Sequence, residues 1–142
     1  MTTTIYILFC SPSDECCKEG KFYTTYKCSP PVSGHTKAIL TINNFDKGEC
    51  SGKYYHNSVP VVALSTGWYS KGRRFENITI HTNGRSVKAM VVDECDSGRG
   101  CDSPHAYLPP CQNNIVDASE AVWKALHVPK KDWDWPEIFW SE

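Results

Sequence analysis

Apolar and polar residues alternate in several short stretches of the chain, with the period of a β-strand. In KAILTINNF, residues Ala38, Leu40 and Ile42 fall on one face. VPVVALSTGW opens with a nearly continuous apolar run, which is typical of a strand buried on both faces. Residues 137–140, near the end of WDWPEIFW, form a last predicted strand. The pattern therefore predicts a mainly β protein.

The clearest local signal is the stretch NITIHTNGRSVKAMVVD, which contains two predicted strands joined by Asn83-Gly84. This dipeptide suits the two-residue type I′ turn of a β-hairpin, in which both central residues need a positive φ. The apolar residues expected on one face of this hairpin are Ile78, Ile80, Val87, Ala89 and Val91.

One short helix is predicted in VDASEAVWKALHVP. Asp117 is the expected N-cap, with Glu120 as its partner in a capping box, and Pro129 ends the helix. Many strands, one helix and covalent cross-links favour a small β-barrel. The apolar stripe of the helix is Ala118, Ala121, Val122, Ala125 and Leu126.

Eight cysteines in 142 residues indicate disulfides and an oxidising compartment. No C-x2-C pair occurs, so zinc is the weaker alternative. We divide the chain into a partial cysteine-rich segment, residues 1–31, and a barrel domain, residues 32–142. The disulfide candidates are Cys10, Cys16, Cys17, Cys28, Cys50, Cys95, Cys101 and Cys111.

Charge and hydropathy exclude two classes of partner. The net charge is −1 and the pI about 6.5, which argues against a nucleic-acid-binding surface. No apolar run approaches the length of about 18 residues that a membrane helix needs. The N-terminal MTTTIYILFC has no basic residue and only a short apolar run, so it is not a convincing signal peptide and suggests a truncated N-terminus. We nevertheless expect a secreted protein, because of the cysteines.

Four stretches together resemble the kiwellin family of plants, whose members are also called ripening-related proteins. They are CCKEGKFYTTYKCSPPVSGHTKAILTINNF, VVALSTGWY, NGRSVKAMVVDECDSGRGCD and PPCQNNIVDASEAVWKALHVP. The resemblance covers the chain from about Cys10 onward. It implies a secreted, apoplastic protein without a cofactor, with a double-psi β-barrel related to barwin and expansin domains. It also implies a role in defence, since some members bind and inhibit enzymes secreted by pathogens.

The chain departs from this family pattern in two ways. The family's signal peptide and longer cysteine-rich N-terminal region are mostly missing. Relatives also carry a cysteine just after the Arg73-Arg74 pair, where this chain has Phe75. One family disulfide therefore cannot form, and we expect Cys10 to be the unpaired thiol.

Two acids offer an enzymatic alternative, a barrel that binds or cleaves cell-wall polysaccharide. Asp93 follows a predicted strand, and Asp117 lies where expansins have a His-Phe-Asp motif, although here Ile115 and Val116 precede it. Glycosidases use two such carboxyls as acid and base. We favour structural roles, helix capping for Asp117 and turn hydrogen bonds for Asp93.

The loop acids Asp96 and Asp102, with His105, lack the spacing of a calcium loop, so we predict a solvated acidic loop and no metal site. We therefore expect a non-enzymatic binder of a protein partner. Trp and Tyr are common at the centres of interfaces. Trp123 and Trp140 are expected in the core, and the sequon at Asn77 is a glycosylation candidate. The candidate binding residues are Trp68, Tyr69, Asp93, Asp96, Trp133 and Trp135.

Overall fold

The computed structural model describes residues 16–47, 54–132 and 135–142. These residues form six strands and two short helices. The strands are β1 (Thr36–Ile42), β2 (Val61–Ser65), β3 (Asn77–Thr82), β4 (Arg85–Cys95), β5 (Ile115–Ala118) and β6 (Glu137–Ser141). The helices are α1 (Thr66–Tyr69) and α2 (Glu120–Ala125), and 3-10 turns occur at Phe45–Lys47, Ser103–His105 and Lys130–Asp132. No helix in these described ranges has the length and apolar character needed to cross a membrane.

The six strands close into a barrel in the order β1-β5-β2-β4-β3-β6. β1 pairs with β5 and β2 pairs with β4 in parallel, and the other neighbours are antiparallel. Parallel neighbours need crossover connections rather than tight turns. The predicted double-psi β-barrel is confirmed. The prediction of one helix was incomplete, because α1 has only four residues and gives no periodic signal.

The barrel interior is the main core, and the alternation within the strands explains it. β2 is buried on both faces, as its apolar run predicted. Val62 and Leu64 point into the barrel, while Val61 and Ala63 lie under a smaller outer cluster with Phe45. Ala38 and Leu40 are fully buried, whereas Ile42, on the same face of the strand by sequence pattern, ends β1 and is 46% exposed. Trp123 and Trp140 are fully buried, as expected.

The β3–β4 hairpin is confirmed in detail. Asn83 and Gly84 have φ values of 55° and 67°, and Thr82 pairs with Arg85 across the turn. Ile78 and Ile80 are buried. The dipeptide therefore sets the register between β3 and β4, which runs from Asn77 opposite Met90 to Thr82 opposite Arg85.

The predicted N-cap of the helix is wrong. Asp117 lies inside β5, and α2 begins at Glu120 after Ser119. β5 runs through Ala118 because its backbone pairs with both β1 and β2. The Ser119 hydroxyl donates to the carbonyl of Val59 at 2.7 Å, which fixes the turn between strand and helix.

Disulfides connect distant parts of the chain, as the cysteine count predicted. Cys17 bonds to Cys101 and Cys95 bonds to Cys111. Cys16 is also disulfide-bonded. Cys28 is a free, exposed thiol, whereas the prediction of an unpaired Cys10 falls outside the described residues, as does Cys50.

Candidate functional site

A row of side chains crosses the outer face of the barrel over four strands. β2 pairs Ala63 with Asp93 of β4 on one side and with Asp117 of β5 on the other. β5 in turn pairs Asp117 with Thr41 of β1. Ala63, Asp117 and Thr41 face outward, because neighbours along their strands, such as Val62 on β2, point into the core. The two acids therefore lie on either side of a single alanine.

A β-bulge brings Asp93 into this row. The register between β2 and β4 shifts after Val62, so that Ala63 is opposite Asp93 and Val62 is opposite Val91. The extra residue is Val92, which packs in the outer cluster. Bulges re-aim side chains in this way and are common next to functional sites.

Asp117 is a carboxyl whose pKa is raised well above its usual value. Burial raises its pKa to about 6, although hydrogen bonds from Thr41 and Asn43 favour the charged form. The negative charge of Asp93 raises that pKa further. The Thr41 hydroxyl donates to Asp117 Oδ1 at 2.6 Å. The carboxyl of Asp117 therefore changes protonation near pH 6, in a position beside a second carboxyl.

The loop between β4 and β5 forms a second, separate arrangement of polar groups. Asp96 Oδ1 accepts hydrogen bonds from the N–H groups of Gly98 and Arg99, at 2.9 and 3.0 Å. Its other oxygen lies 3.0 Å from Nε2 of His105, and Nδ1 of His105 contacts Asp102. The expectation of a solvated acidic loop is therefore incomplete, because Asp96 and Asp102 hold one imidazole between them.

The pKa of His105 is raised. Burial lowers that pKa, but the hydrogen bonds and negative charges of Asp102 and Asp96 outweigh the effect of burial. No group of three or more His, Cys, Asp or Glu side chains in the described parts of the chain is arranged to hold a metal ion. The two acids and His105 therefore form a hydrogen-bonded brace for the loop, with ion pairs when His105 is protonated.

Two disulfides and several backbone hydrogen bonds further fix this loop, which we call the stapled loop (residues 95–111). Cys95–Cys111 joins its ends, and Cys17–Cys101 ties its middle to the N-terminal segment. The Cys101 N–H donates to the carbonyl of Leu108 at 2.7 Å. The side chain of Leu108 is 42% exposed. The stapled loop thus presents an apolar side chain from a rigid backbone.

The predicted aromatic candidates do not form one surface. Trp68 is 1% exposed, packs edge-on against Trp140, and donates from Nε1 to the carbonyl of Pro30 at 2.8 Å. It is a core residue, and we remove it from the candidate binding surface. Tyr69 is partly buried against the core, whereas Trp135 is 53% exposed. Trp133 lies outside the described residues.

Asn77 is exposed at the first position of β3. This placement leaves its side chain accessible to a glycan. Glycosylation of Asn77 stays a prediction.

Sequence reasoning missed the His105 brace, because its three residues are spread over ten positions of a loop without periodicity. The only signal was the density of acids between two cysteines.

Comparisons with known proteins agree on one family. The family model described as Kiwellin-1 matches residues 9–142. The ripening-related protein grip22 of Vitis vinifera is 55% identical over 127 residues, covering 82% of this chain and 58% of that protein. Kiwellin of Actinidia chinensis var. chinensis is 50% identical over 130 residues, covering 85% of this chain and 61% of that protein. Ripening-related protein 3 of Oryza sativa subsp. japonica is 49% identical over 140 residues, covering 90% of this chain and 65% of that protein.

The chain therefore spans less than two thirds of the length of these three relatives. Among solved structures, the Streptomyces papain inhibitor matches with a TM-score of 0.53 and 20% identity. That match covers 78% of this chain and 96% of the inhibitor. At this identity the likeness shows the fold alone.

Proposed function

Because the chain belongs to the kiwellin family, we propose that it is a secreted plant protein that acts without catalysis, by binding proteins that pathogens secrete. Family membership supports the plant origin. The disulfide-bonded cysteines support secretion into the apoplast, because such bonds persist in oxidising compartments.

The observation that carries a protein-binding role is the rigidity of the stapled loop. Binding costs free energy when a partner must order flexible side chains and backbone, and a loop that is already ordered avoids much of that cost. Here two disulfides and the His105 brace fix the backbone before any partner arrives. The exposed Leu108 supplies apolar area, and the acids supply charge.

Direct binding with a matched pair of variants tests this role. Wild-type protein, Leu108→Asp and Val59→Asp are immobilised and exposed to proteins secreted by a plant pathogen. A captured protein is then purified and titrated by calorimetry. Val59 is the control, because it is 39% exposed but lies outside the stapled loop. We expect Leu108→Asp to weaken binding by at least about tenfold, or about 1.4 kcal/mol. Equal binding by both variants would contradict the role of the loop.

One observation favours a second candidate function, hydrolysis of a cell-wall glycan. Asp93 and Asp117 face the same side of the barrel across one strand, and the two outer strands are separated by about 9.5 Å at the backbone. Inverting glycosidases keep their two carboxyls about 6.5–9.5 Å apart, with a water between base and sugar. A protonated Asp117 would donate its proton to the leaving glycosidic oxygen, while ionised Asp93 removes a proton from the attacking water.

The two candidates give opposite results in one experiment. Purified protein is incubated with plant and fungal wall polysaccharides at several pH values, and new reducing ends are measured. Hydrolysis by this pair would fall above about pH 6, where Asp117 loses its proton. It would also disappear in both Asp93→Asn and Asp117→Asn. We expect no sugar release from the wild type, and release with that dependence would overturn the non-catalytic proposal.

A further inference from the structure

An open cavity of about 450 Å³ lies between the end of β1 and the beginning of α2, away from the stapled loop. A volume of this order is typical of small-molecule sites. The walls come from four separate segments, which the fold brings together. The lining residues are Ile42, Asn43, Asn44, Asn57, Glu120 and Lys130.

The chemistry of these walls is polar and nearly neutral. Three of the six side chains are amides, and each amide both donates and accepts hydrogen bonds. Glu120 is already paired with Lys124, whose Nζ lies 3.1 Å from Oε1. The charges of Glu120 and Lys130 also offset each other. A neutral ligand rich in hydroxyl groups matches such walls, because every hydroxyl also donates and accepts.

Asn57 gives an independent indication of a ligand. Its backbone carbonyl is hydrogen-bonded, because it accepts from the N–H of Ala121 at 3.0 Å. Its side-chain Oδ1 is shielded from solvent and has no hydrogen-bond donor among the described residues. An unsatisfied buried polar atom costs about 1–3 kcal/mol. Because Asn57 lines the cavity, a rotation of its amide on binding would bring Oδ1 within reach of a ligand hydroxyl.

Hydrogen bonds connect the surroundings of this cavity to other parts of the fold. The Asn43 Oδ1 accepts from the N–H of Asn44 at 2.7 Å, and the Asn43 side chain also hydrogen-bonds to Asp117. This pair connects the cavity to the row of acids. On the other side, the carbonyl of Pro136 accepts from the Leu40 N–H at 2.9 Å. The preceding residue, the half-exposed Trp135, is not among the residues that line the cavity.

We propose that this cavity binds a ring of a neutral saccharide, with Asn57 as a hydrogen-bonding contact. No bond is made or broken in this event. The inference does not depend on the protein-binding role of the stapled loop, so each can fail without the other.

The test uses cellotetraose and xylotetraose as neutral probes and trigalacturonic acid as an anionic one. Amide chemical shifts and calorimetry report binding by the full chain, with an expected Kd of about 1 mM. We expect shifts around Asn57 for at least one neutral probe and weaker binding of the anionic one. No shift with either neutral probe, or stronger binding of the anionic one, would overturn the proposal.

Variants separate a ligand contact from a structural residue. Asn57→Ala should weaken binding by about fivefold, the effect of one hydrogen bond. Its melting temperature should be unchanged or higher, because the variant removes an unsatisfied atom. The matched control is Asn114→Ala, since Asn114 lines a second cavity of about 460 Å³. A drop in melting temperature for Asn57→Ala would show that Asn57 is structural. An equal loss of binding in Asn114→Ala would show that the site lies elsewhere.

Discussion

Single residues in this protein take their roles from their neighbours rather than from their type. Asp117 is a suitable helix cap by sequence, yet it lies in a strand, buried beside Asp93. Its environment makes the neutral form favourable, which is unusual for a carboxyl. Two consequences for stability follow at this scale, one for Asp117 and one for His105.

Asp117 should make the stability of the protein fall as pH rises from about 4 to about 6. The folded state binds the proton more tightly than the unfolded state, because burial raises the pKa from 3.8 to about 6. The folded state therefore loses up to about 3 kcal/mol relative to the unfolded state across this interval. Asp117→Asn should lack this component, which denaturation at several pH values would measure. Asp46→Asn, at an exposed carboxyl, is the control. An equal pH dependence for all three proteins would contradict the buried position.

His105 should act with the same sign, but at higher pH. Its pKa is raised by Asp102 and Asp96, so the contribution of the imidazolium is complete below the unfolded value of about 6.5 and is lost as pH rises through the folded value. Hydrogen exchange of the Gly98 and Arg99 amides measures this, because both amides donate to Asp96. The protection lost in His105→Gln should be largest near pH 5 and small near pH 9, because the imidazole is charged at the lower pH and neutral at the higher one. A loss that does not change with pH would rule out an ionic brace.

At the scale of elements, local sequence signals decide the hairpin but not the helix. Asn83-Gly84 is a favoured dipeptide for a two-residue hairpin turn, and both residues have the positive φ that this turn requires. The start of the helix is displaced by two residues, from the predicted N-cap Asp117 to Ser119, because pairing with β1 and β2 extends β5 through Ala118. Strand pairing on two sides thus outweighs a capping preference of about 1 kcal/mol.

Gly84→Val should destabilise the fold by more than about 1 kcal/mol, since a β-branched residue is strained at positive φ. Gly84 has a φ of 67°, and a Cβ there would meet no other atom within 4 Å, so the cost is conformational. Gly34→Val is the matched control, because Gly34 has equal space and no positive φ. Chemical denaturation of the two variants gives the comparison. Equal midpoints would refute the conformational explanation.

At the scale of the whole molecule, the Cys17–Cys101 disulfide holds the N-terminal segment against the barrel domain. Cys17–Cys101 spans 84 residues, whereas Cys95–Cys111 spans 16. We propose that residues 32–142 form the folding unit and that residues 1–31 are an attached segment. The hydrogen bond from Trp68 to Pro30 is a further link between them.

Cys17→Ser/Cys101→Ser should expose residues 16–31 to proteases while the barrel stays folded. From the length of the loop that this bond closes, we expect the free energy of unfolding to fall by about 4–5 kcal/mol, because the unfolded chain gains entropy. For Cys95→Ser/Cys111→Ser, which opens a shorter loop, we expect a fall of about 3 kcal/mol. Limited proteolysis and amide spectra measure both effects. The second double variant is the control, since it leaves the Cys17–Cys101 link intact. Unfolding of the whole barrel in the first variant alone would contradict the proposed division.

The candidate sites were only partly predictable. Asp93 and Asp117 were identified as a pair from the sequence. Their positions on either side of Ala63 depend on a bulge after Val62, which no local sequence pattern predicts. Trp68 and Trp135 looked equivalent in sequence, yet one is 1% exposed and the other 53%. Burial depends on which strands surround a residue, and that is decided by contacts between positions far apart in the chain.

By itself, the sequence determined the mainly β class, the hairpin, the final strand, the oxidised cysteines and the family. These follow from period-two alternation, from one turn dipeptide, from cysteine spacing and from contiguous motifs, all of which are local. Only the tertiary structure decided the pairing of the cysteines, the protonation of Asp117, the brace on His105 and the amide-lined cavity at Asn57. Each of these depends on side chains brought together by barrel closure, because burial and electrostatic coupling act through space and not along the chain.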